Sequence, residues 1–279
     1  SSKAIVDYAH WQAELLRAHT ERPITTNAFI FRWGDNLNWY ELFSKLDAVG
    51  IDIYASDPYE VAFYADLCRS IGPLWVLEYG SQLPSIGEAI DLLADRRCEW
   101  LTFFKFNPTP AGQEQNMAHL LTITGEPTRN YEIVRAWSSS REMPRLEEGE
   151  GEKRATVGMP YDFESSWVHA ISAWHRPYEE QLRYANGLIH TVYRTLFEMD
   201  LDVRFVRTYE DMRACDVVLM PWQIVYDENL ETALIGYVED GEVIISDDYG
   251  TGATSHDRDT NHGGTDDVTV VDGREVDGT

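Results

Sequence analysis

The sequence contains few lysines and a large excess of acidic residues. Its only lysines are Lys3, Lys45, Lys105 and Lys153, so arginine supplies most of the basic charge. Among 279 residues, 48 are acidic and 23 are Lys or Arg, which gives a formal net charge of -25. This excess of negative charge repels phosphate backbones and anionic lipid, so nucleic acids and membrane surfaces are not expected partners.

Cysteine is scarce, and long apolar runs are missing. Cys68, Cys98 and Cys215 are odd in number and widely spaced, a pattern that fits neither a disulfide framework nor a Cys-x-x-Cys metal clip. Runs such as residues 74–77 are too short to cross a bilayer, and the first residues lack the apolar core of a signal peptide. A reducing, cytoplasmic compartment is expected. The missing initiator Met predicts a fragment or a trimmed chain.

Several catalytic motifs are also missing. The sequence has no Gly-x-Ser-x-Gly nucleophile elbow and no Gly-rich phosphate loop, which argues against Ser hydrolases and nucleotide enzymes. Cys215 lies at a predicted strand start, a packing position rather than a reactive one. His169, Trp174 and His175 form an aromatic and basic cluster on a predicted loop, where packing or an interface is favoured over metal binding. No metal or organic cofactor is predicted.

Short apolar segments alternate with amphipathic ones through the first half of the chain. Strands are predicted at residues 24–30, 51–55, 74–77 and 100–106, and helices at 5–20, 39–48, 58–70, 86–95, 111–121 and 129–137. This alternation indicates parallel βαβ units. A (β/α)8 barrel takes about 250 residues, so four units fit the second half of a barrel, with a small open sheet as the alternative.

A polar segment divides the chain. Residues 138–154 are charged and contain Pro144, Gly149 and Gly151, which is typical of a linker. The predicted organisation is a half barrel at 1–140, a linker at 141–153 and a second, flavodoxin-like α/β domain at 154–279. This second domain has strands at 155–159, 203–206, 217–220 and 243–246 and helices at 177–199 and 228–239. A loose or truncated end is expected after Asp247.

Glu78 is the main catalytic candidate. It follows the predicted strand 74–77, and active-site residues of parallel barrels lie at the C-terminal ends of strands. Neighbouring strands carry polar and aromatic groups that would suit a sugar: Asn27 ends part of the first strand, Asp52 and Tyr54 lie on the second, and Lys105, Phe106 and Asn107 end the strand after Glu78. Structural roles remain open for each of them. Glu78 could pair with an arginine, Asp52 could be a hydrogen-bonding group, and Tyr54 or Phe106 could be a core ring.

These residues resemble the latter half of a glycoside hydrolase family 42 β-galactosidase. The most specific stretch is Pro73-Leu74-Trp75-Val76-Leu77-Glu78, with support from residues 25–27, 46–54, 66–69, 111–114 and 125–131. The second domain resembles the trimerisation domain of that family. The resemblance implies a galactoside substrate, a homotrimer, and a retaining mechanism in which Glu78 is the nucleophile. It further implies sugar contacts from Trp39, Phe106 and Glu114.

The sequence departs from the family pattern at several points. The acid/base Glu of the family follows an Asn on the fourth barrel strand, and no Asn-Glu pair occurs in this chain. Phe106-Asn107 replaces a Trp-Arg pair, and Glu114 lacks the His partner of a Glu-x-x-His motif. We therefore expect a chain that is catalytically incomplete alone, with the first half barrel lying upstream or on a separate chain. The alternative is a non-catalytic assembly module or a vestigial fragment.

The charge pattern predicts a protein adapted to salt. Screening by ions weakens repulsion among surface carboxylates, so the urea midpoint of unfolding should rise as KCl increases from roughly 0.1 M to above 1 M. Sucrose of matched osmolality is the control, because it is excluded from protein surfaces but does not screen charge. Equal stability at all salt concentrations would contradict the prediction.

Overall fold

The computed structural model describes residues 2–30, 37–109, 111–112, 119–140, 156–172, 183–226, 228–247 and 268–272. The chain forms two compact units, Ser1–Glu152 and Lys153–Thr279. The predicted linker at 141–153 lies outside the described residues. No helix among the described residues is long and apolar enough to span a membrane.

The first unit alternates strands and helices. Its elements are α1 (Ser2–Arg17), β1 (Asn27–Phe29), α2 (Trp39–Phe43), β2 (Val49–Ile53), α3 (Pro58–Ile71), β3 (Leu74–Gly80), α4 (Ile86–Asp95), β4 (Trp100–Phe104) and α5 (Arg129–Ser140). The four strands are parallel and follow one another in the order β1-β2-β3-β4. Each βα unit therefore adds its strand to the same edge, as in an arc of a barrel.

Alternation of side chains along the strands separates the two faces of this sheet. On β2, Ile51 and Ile53 are fully buried, and the facing helix α3 buries Phe63, Tyr64 and Leu67. Pro58 occupies the first turn of α3, where its missing N–H costs nothing. The other face of the sheet carries Asp52 and the residues aligned with it on neighbouring strands. That second face holds the candidate site and is called the inner face below.

Two predicted helices of this unit are partly wrong. The helix predicted at 39–48 ends at Phe43, because Asp47 turns to bond Ile24 through both its backbone N–H and its carboxylate. The helix predicted at 111–121 is not helical at its described end. There Leu121 donates to the carbonyl of Phe106 at 2.8 Å and forms an isolated bridge with Pro127. Pairing with a distant segment overrides the local helical pattern at both places.

The second unit has its own sheet. Its elements are β5 (Thr156–Met159), α6 (Phe163–Ser172), α7 (Arg183–Gly187), a π-helical segment (Leu188–Tyr193), α8 (Arg194–Glu198), β6 (Asp202–Phe205), α9 (Tyr209–Arg213), β7 (Val217–Met220), α10 (Glu228–Glu239), β8 (Val243–Asp247) and β9 (Val268–Asp272). The strand order is β6-β5-β7-β8-β9, with only β9 antiparallel. This is the flavodoxin-like 2-1-3-4-5 order, so the predicted fold class is confirmed.

Three details of the second unit differ from the sequence predictions. The expected loose end is wrong at Val268–Asp272, which pairs with β8. His169 lies on α6 rather than on a loop, and Trp174 and His175 lie outside the described residues. Helix α9 was not predicted, although Thr208 and Asp211 form a capping box that marks its start.

Candidate active site

A β-bulge in β3 places Glu78 on the inner face. Ile51 of β2 pairs with Val76, whereas the next residue, Asp52, pairs with Glu78. Leu77 is therefore an extra residue in β3, and without it Leu77 rather than Glu78 would face Asp52. Because side chains alternate along a strand, one inserted residue moves every later side chain to the opposite face. Glu78 lies within β3, two residues before its end, rather than after it as predicted.

Tyr54 holds the carboxylate of Glu78. Its phenol donates a hydrogen bond to Oε2 of Glu78 over 2.6 Å, and both side chains are partly buried. A hydrogen bond at this distance fixes the orientation of the carboxylate. The contact therefore aligns Glu78 for nucleophilic attack on a carbon centre.

Asp52 is a buried acid beside Glu78. It is only 2% exposed, its Oδ2 accepts a 2.6 Å hydrogen bond from Asn27, and its Oδ1 is buried without a hydrogen-bond partner among the described residues. Burial raises the pKa of Asp52 to about 6; the bond from Asn27 opposes this rise and the charge of Glu78 adds to it. The carboxyl of Asp52 thus binds a proton more tightly in the folded chain than an exposed aspartate does. Asn27 begins β1 rather than ending a strand as predicted.

Aromatic rings surround this acidic group. Phe29 stacks on Tyr54 with ring centroids 5.6 Å apart, and Phe104 meets Tyr54 edge-on at 6.3 Å. The ammonium of Lys105 lies 5.3 Å from the Phe104 ring centre and donates to Thr109 at 2.6 Å. Flat apolar faces next to carboxylates suit a sugar, which has hydroxyls at its edge and apolar C–H groups on its face.

The three predicted sugar contacts differ in their placement. Trp39 is fully buried at the start of α2, so its ring has no exposed face. Phe106 follows β4, is 56% exposed and meets Tyr131 edge-on at 6.4 Å. Glu114 lies outside the described residues. The structure therefore brings Asn27, Asp52, Tyr54 and Glu78 together. The roles of Trp39, Phe106 and Glu114 in sugar binding stay predictions.

Other chemistries find little support in the described residues. No group of three or more His, Cys, Asp or Glu in the described part of the chain could hold a metal ion. Burial raises the pKa of the thiols of Cys68 and Cys98, and that of Cys215 to about 11. These cysteines are thus poor thiolate nucleophiles.

In the second unit the strand order reverses between β5 and β7, and sheets of this kind commonly bind ligands in the crevice beyond the carboxyl ends of such strands. Aromatic and polar side chains fill this crevice. Tyr161 packs against Phe163 and Tyr184 at 5.0 and 5.6 Å, while the hydroxyl of Ser165 accepts from two backbone N–H groups. His169 bonds the carbonyl of Trp222 at 3.1 Å, which agrees with a packing role.

The sequence did not reveal Phe29, Phe104 or Thr102 as parts of the site. Phe29 lies on β1, next to β2, and Phe104 lies on β4, two strands from β2, so only the parallel pairing of the sheet brings both rings to Tyr54. Thr102 is a polar residue inside the apolar strand Trp100–Phe104. This interruption was the one available signal, because a hydroxyl on a half-buried strand needs a hydrogen-bond partner.

Comparison with known proteins identifies the family. Residues 1–89 match the family model described as "Beta-galactosidase", and residues 155–267 match the model described as "Beta-galactosidase trimerisation domain". Together the two matches cover well over half of the chain. The chain belongs to glycoside hydrolase family 42. The family 42 resemblance expected from the Glu78 strand is thereby confirmed.

Three similar proteins illustrate the relationship. The β-galactosidase YesZ of Bacillus licheniformis is 31% identical over 169 residues, covering 52% of this chain and 24% of that protein. The β-galactosidase BgaH of Haloferax lucentense is 24% identical over 278 residues, covering 88% and 40%. The solved β-galactosidase of the Antarctic haloarchaeon Halorubrum lacusprofundi has a TM-score of 0.70 at 22% identity, covering 85% and 39%.

This family 42 chain thus spans 24 to 40% of the length of these relatives. At 22% identity, the likeness to the solved structure speaks for the fold. It agrees with the predicted class, the latter strands of a (β/α)8 barrel followed by a second α/β domain.

The raised pKa of Asp52 predicts a pH dependence of stability. Its carboxyl binds a proton more tightly in the folded chain (pKa about 6) than at its ordinary value of 3.8. Its contribution to the free energy of unfolding is therefore largest below pH 4 and is lost as pH rises through 6, by about 2 kcal/mol. Urea unfolding at pH 4 to 7 should show this slope, and Asp52→Asn should lack it.

The exposed carboxylate of Asp95 on α4 provides the control. Asp95→Asn should keep the pH slope of the wild type, because Asp52 is unchanged in this variant. If Asp52→Asn and Asp95→Asn gave the same pH dependence, the assignment of a buried, proton-binding Asp52 would be refuted.

Proposed function

We propose that this chain is part of a retaining β-galactosidase, in which Glu78 attacks the anomeric carbon of a terminal β-D-galactoside. The observation that carries the proposal is the carboxylate of Glu78, turned to the inner face by the bulge and held by the phenol of Tyr54 at 2.6 Å. Family membership supplies the reaction class.

The proposed reaction uses the carboxylate of Glu78 as its nucleophile. Attack by its carboxylate forms a glycosyl ester and expels the leaving oxygen, which a general acid protonates; water then releases the sugar. The hydrogen bond from Tyr54 keeps the carboxylate of Glu78 aligned before attack. Asp52 is the buried neighbour of Glu78, and the negative charges of the two carboxylates repel each other.

The acid/base group is proposed to come from the first half of the barrel. No Asn-Glu pair occurs in the chain, and the two carboxyls of a retaining pair stand about 5 to 5.5 Å apart. Four further βα units, on the same or a separate polypeptide, would close the barrel between β1 and β4. Without them this chain is proposed to be inactive, since a general acid contributes about 10² to 10⁴-fold.

Exposed apolar surfaces at both ends of the strand order support this closure of the barrel. Helix α1 buries Val6, His10 and Ala13 but exposes an apolar side. That exposed side consists of Ile5, Tyr8, Trp11, Leu15 and Leu16. At the other end, Trp100 of β4 is 54% exposed. Unpaired strand edges and exposed apolar faces are the surfaces that neighbouring barrel units cover.

A cavity beside β4 is also lined by apolar side chains. It has a volume of about 630 Å³, and apolar residues of α4, β4 and α5 form much of its wall, including Leu93, Phe103 and Trp137. Such a large space is costly when it is left unfilled against apolar walls. We assign it to packing against the missing units of the barrel.

The sugar contacts are proposed residue by residue. Phe106 has the exposed ring that stacking on a sugar requires. Trp39 has no exposed surface, so we assign it a supporting role behind the site rather than direct contact. Glu114 remains the proposed galactose-binding carboxylate, by resemblance alone. No cofactor is assigned.

The second unit is proposed to form a homotrimer, which would make the chain an assembly module as well. The matched trimerisation-domain model supports this, as does the exposed apolar side of α6, where Ile171 is 69% exposed. The ring of Trp222 packs against Gly187, so it is a poor interface candidate. A salt-rich cytoplasm is the proposed setting, supported by the net charge and by similarity to haloarchaeal proteins.

The role of Glu78 can be tested in the complete enzyme, meaning this chain with the first four βα units attached or co-expressed. Glu78→Gln should lower kcat by at least ~10⁴-fold and leave the fold intact, because the amide is isosteric but a poor nucleophile. A 2-fluoro-galactoside should label Glu78, as read by mass spectrometry.

Two controls accompany this experiment. Glu132→Gln changes an exposed carboxylate on α5 and should keep full activity. The chain alone, assayed in molar salt, should turn over no nitrophenyl-galactoside. Labelling of another carboxylate would refute Glu78 as nucleophile, and turnover by the chain alone would show that it supplies its own acid/base group.

Self-association of the second unit can be tested by light scattering in molar salt. The full chain should form a trimer, and Ile171→Asp should shift it towards monomer, because a charge buried at an interface is destabilising. Ile123→Asp, which alters a 71% exposed residue of the first unit, is the control and should leave the trimer intact. A strictly monomeric wild type would contradict the proposal.

A further inference from the structure

Thr102 of β4 stands opposite the bulge that directs Glu78. Val76 pairs with Leu101 and Tyr79 pairs with Phe103, so two residues of β3, Leu77 and Glu78, face the single residue Thr102. A bulge of this kind leaves the regular ladder interrupted at the inserted residue. The side chain opposite it can therefore supply a bond that the backbone ladder does not.

The hydroxyl of Thr102 makes that bond. It donates to the carbonyl oxygen of Leu77, and the carbonyl oxygen of Val76 lies 3.5 Å from the same hydroxyl. Both acceptors belong to the bulged segment immediately before Glu78. Thr102 is thus attached to the backbone that sets the direction of the Glu78 side chain.

The opposite side of the bulge is confined by packing. A Cβ atom on Gly50 of β2 would lie 2.7 Å from a methyl carbon of Leu77 and would overlap the carbonyl oxygen of Thr26. The side chain of Leu77 therefore occupies the space that Gly50 leaves open. With Gly50 on one side and the Thr102 hydroxyl on the other, the bulge has little freedom to move.

We propose that Thr102 is a positioning residue for Glu78, whose hydroxyl clamps the bulge and so fixes the carboxylate on the inner face. The proposal rests on the proposed function of Glu78 as nucleophile. The hydroxyl itself is required, because Val has nearly the same shape as Thr but cannot donate.

Loss of the clamp should affect the rate of attack rather than binding. A misplacement of about 1 Å in a reacting group can cost about 10²-fold in rate. Sugar binding depends on other side chains of the site, so the affinity should change little. This separation of rate from affinity distinguishes a positioning role from a merely structural or substrate-binding one.

The test uses the complete enzyme and inactivation by a 2-fluoro-galactoside. Thr102→Val and Thr102→Ala should lower the rate constant for labelling of Glu78 by about 10- to 100-fold, with an inhibitor affinity within about threefold of wild type. Thr102→Ser keeps the hydroxyl and should restore most of the rate. Thr195→Val is the matched control, since the Thr195 hydroxyl also donates to a carbonyl, that of Thr191 at 2.7 Å, but in the second unit.

Each outcome decides between the alternatives. Equal labelling rates in Thr102→Val, Thr102→Ala and wild type would overturn the proposal, as would a loss of affinity at an unchanged rate constant. If Thr102→Val fails to fold, as judged by circular dichroism, the comparison of Ala with Ser decides. Amide hydrogen exchange in peptides of β3 provides a readout without activity. Exchange should increase in Val and Ala but not in Ser.

Failure of the proposed function gives a different result. In that case the wild-type enzyme is not labelled at Glu78, whatever the residue at position 102. Hydrogen exchange then decides the clamp on its own, and unchanged exchange in all three Thr102 variants would overturn it.

Discussion

The insertion of Leu77 into β3 determines which face of the sheet Glu78 occupies, and the candidate site depends on this. A regular strand would pair Leu77 with Asp52 and turn Glu78 towards the helices. With the insertion, Glu78 comes beside Asp52 and within 2.6 Å of the Tyr54 phenol. The outer face remains available for the apolar side chains that pack beneath α3. One extra residue thus separates the polar chemistry from the core.

The strand and helix alternation was readable from the sequence because buried parallel strands are short and apolar. Residues 217–220 and 228–239 have the predicted bounds, as does Ile86–Asp95. Predictions failed where contacts distant in sequence override local preference, as at Asp47 and at Leu121. The same limit applies to helix α6, which was not predicted. The buried hydroxyl of Ser165 on this helix accepts hydrogen bonds from backbone N–H groups about sixty residues later in the chain.

The polar members of the candidate site were predictable, but its aromatic members and its geometry were not. Asn27, Asp52, Tyr54 and Glu78 stood on or directly after neighbouring predicted strands, and parallel pairing was sufficient to expect them near one another. Nothing in the sequence indicates a bulge, because Leu77 reads as an ordinary strand residue. The partners of Asp52 and the burial that raises its pKa to about 6 likewise follow only from the three-dimensional register.

The close packing around Gly50 has an evolutionary consequence. A side chain at position 50 would meet Leu77 and the backbone of Thr26 at once, so even alanine requires the two strands to separate. Position 50 should therefore stay glycine among related sequences, whatever residue stands at position 77. A smaller residue at 77 would not suffice by itself, because the clash with the carbonyl of Thr26 would persist. Any side chain at position 50 requires the backbone of the neighbouring strand to move, which restricts how this strand pair can diverge.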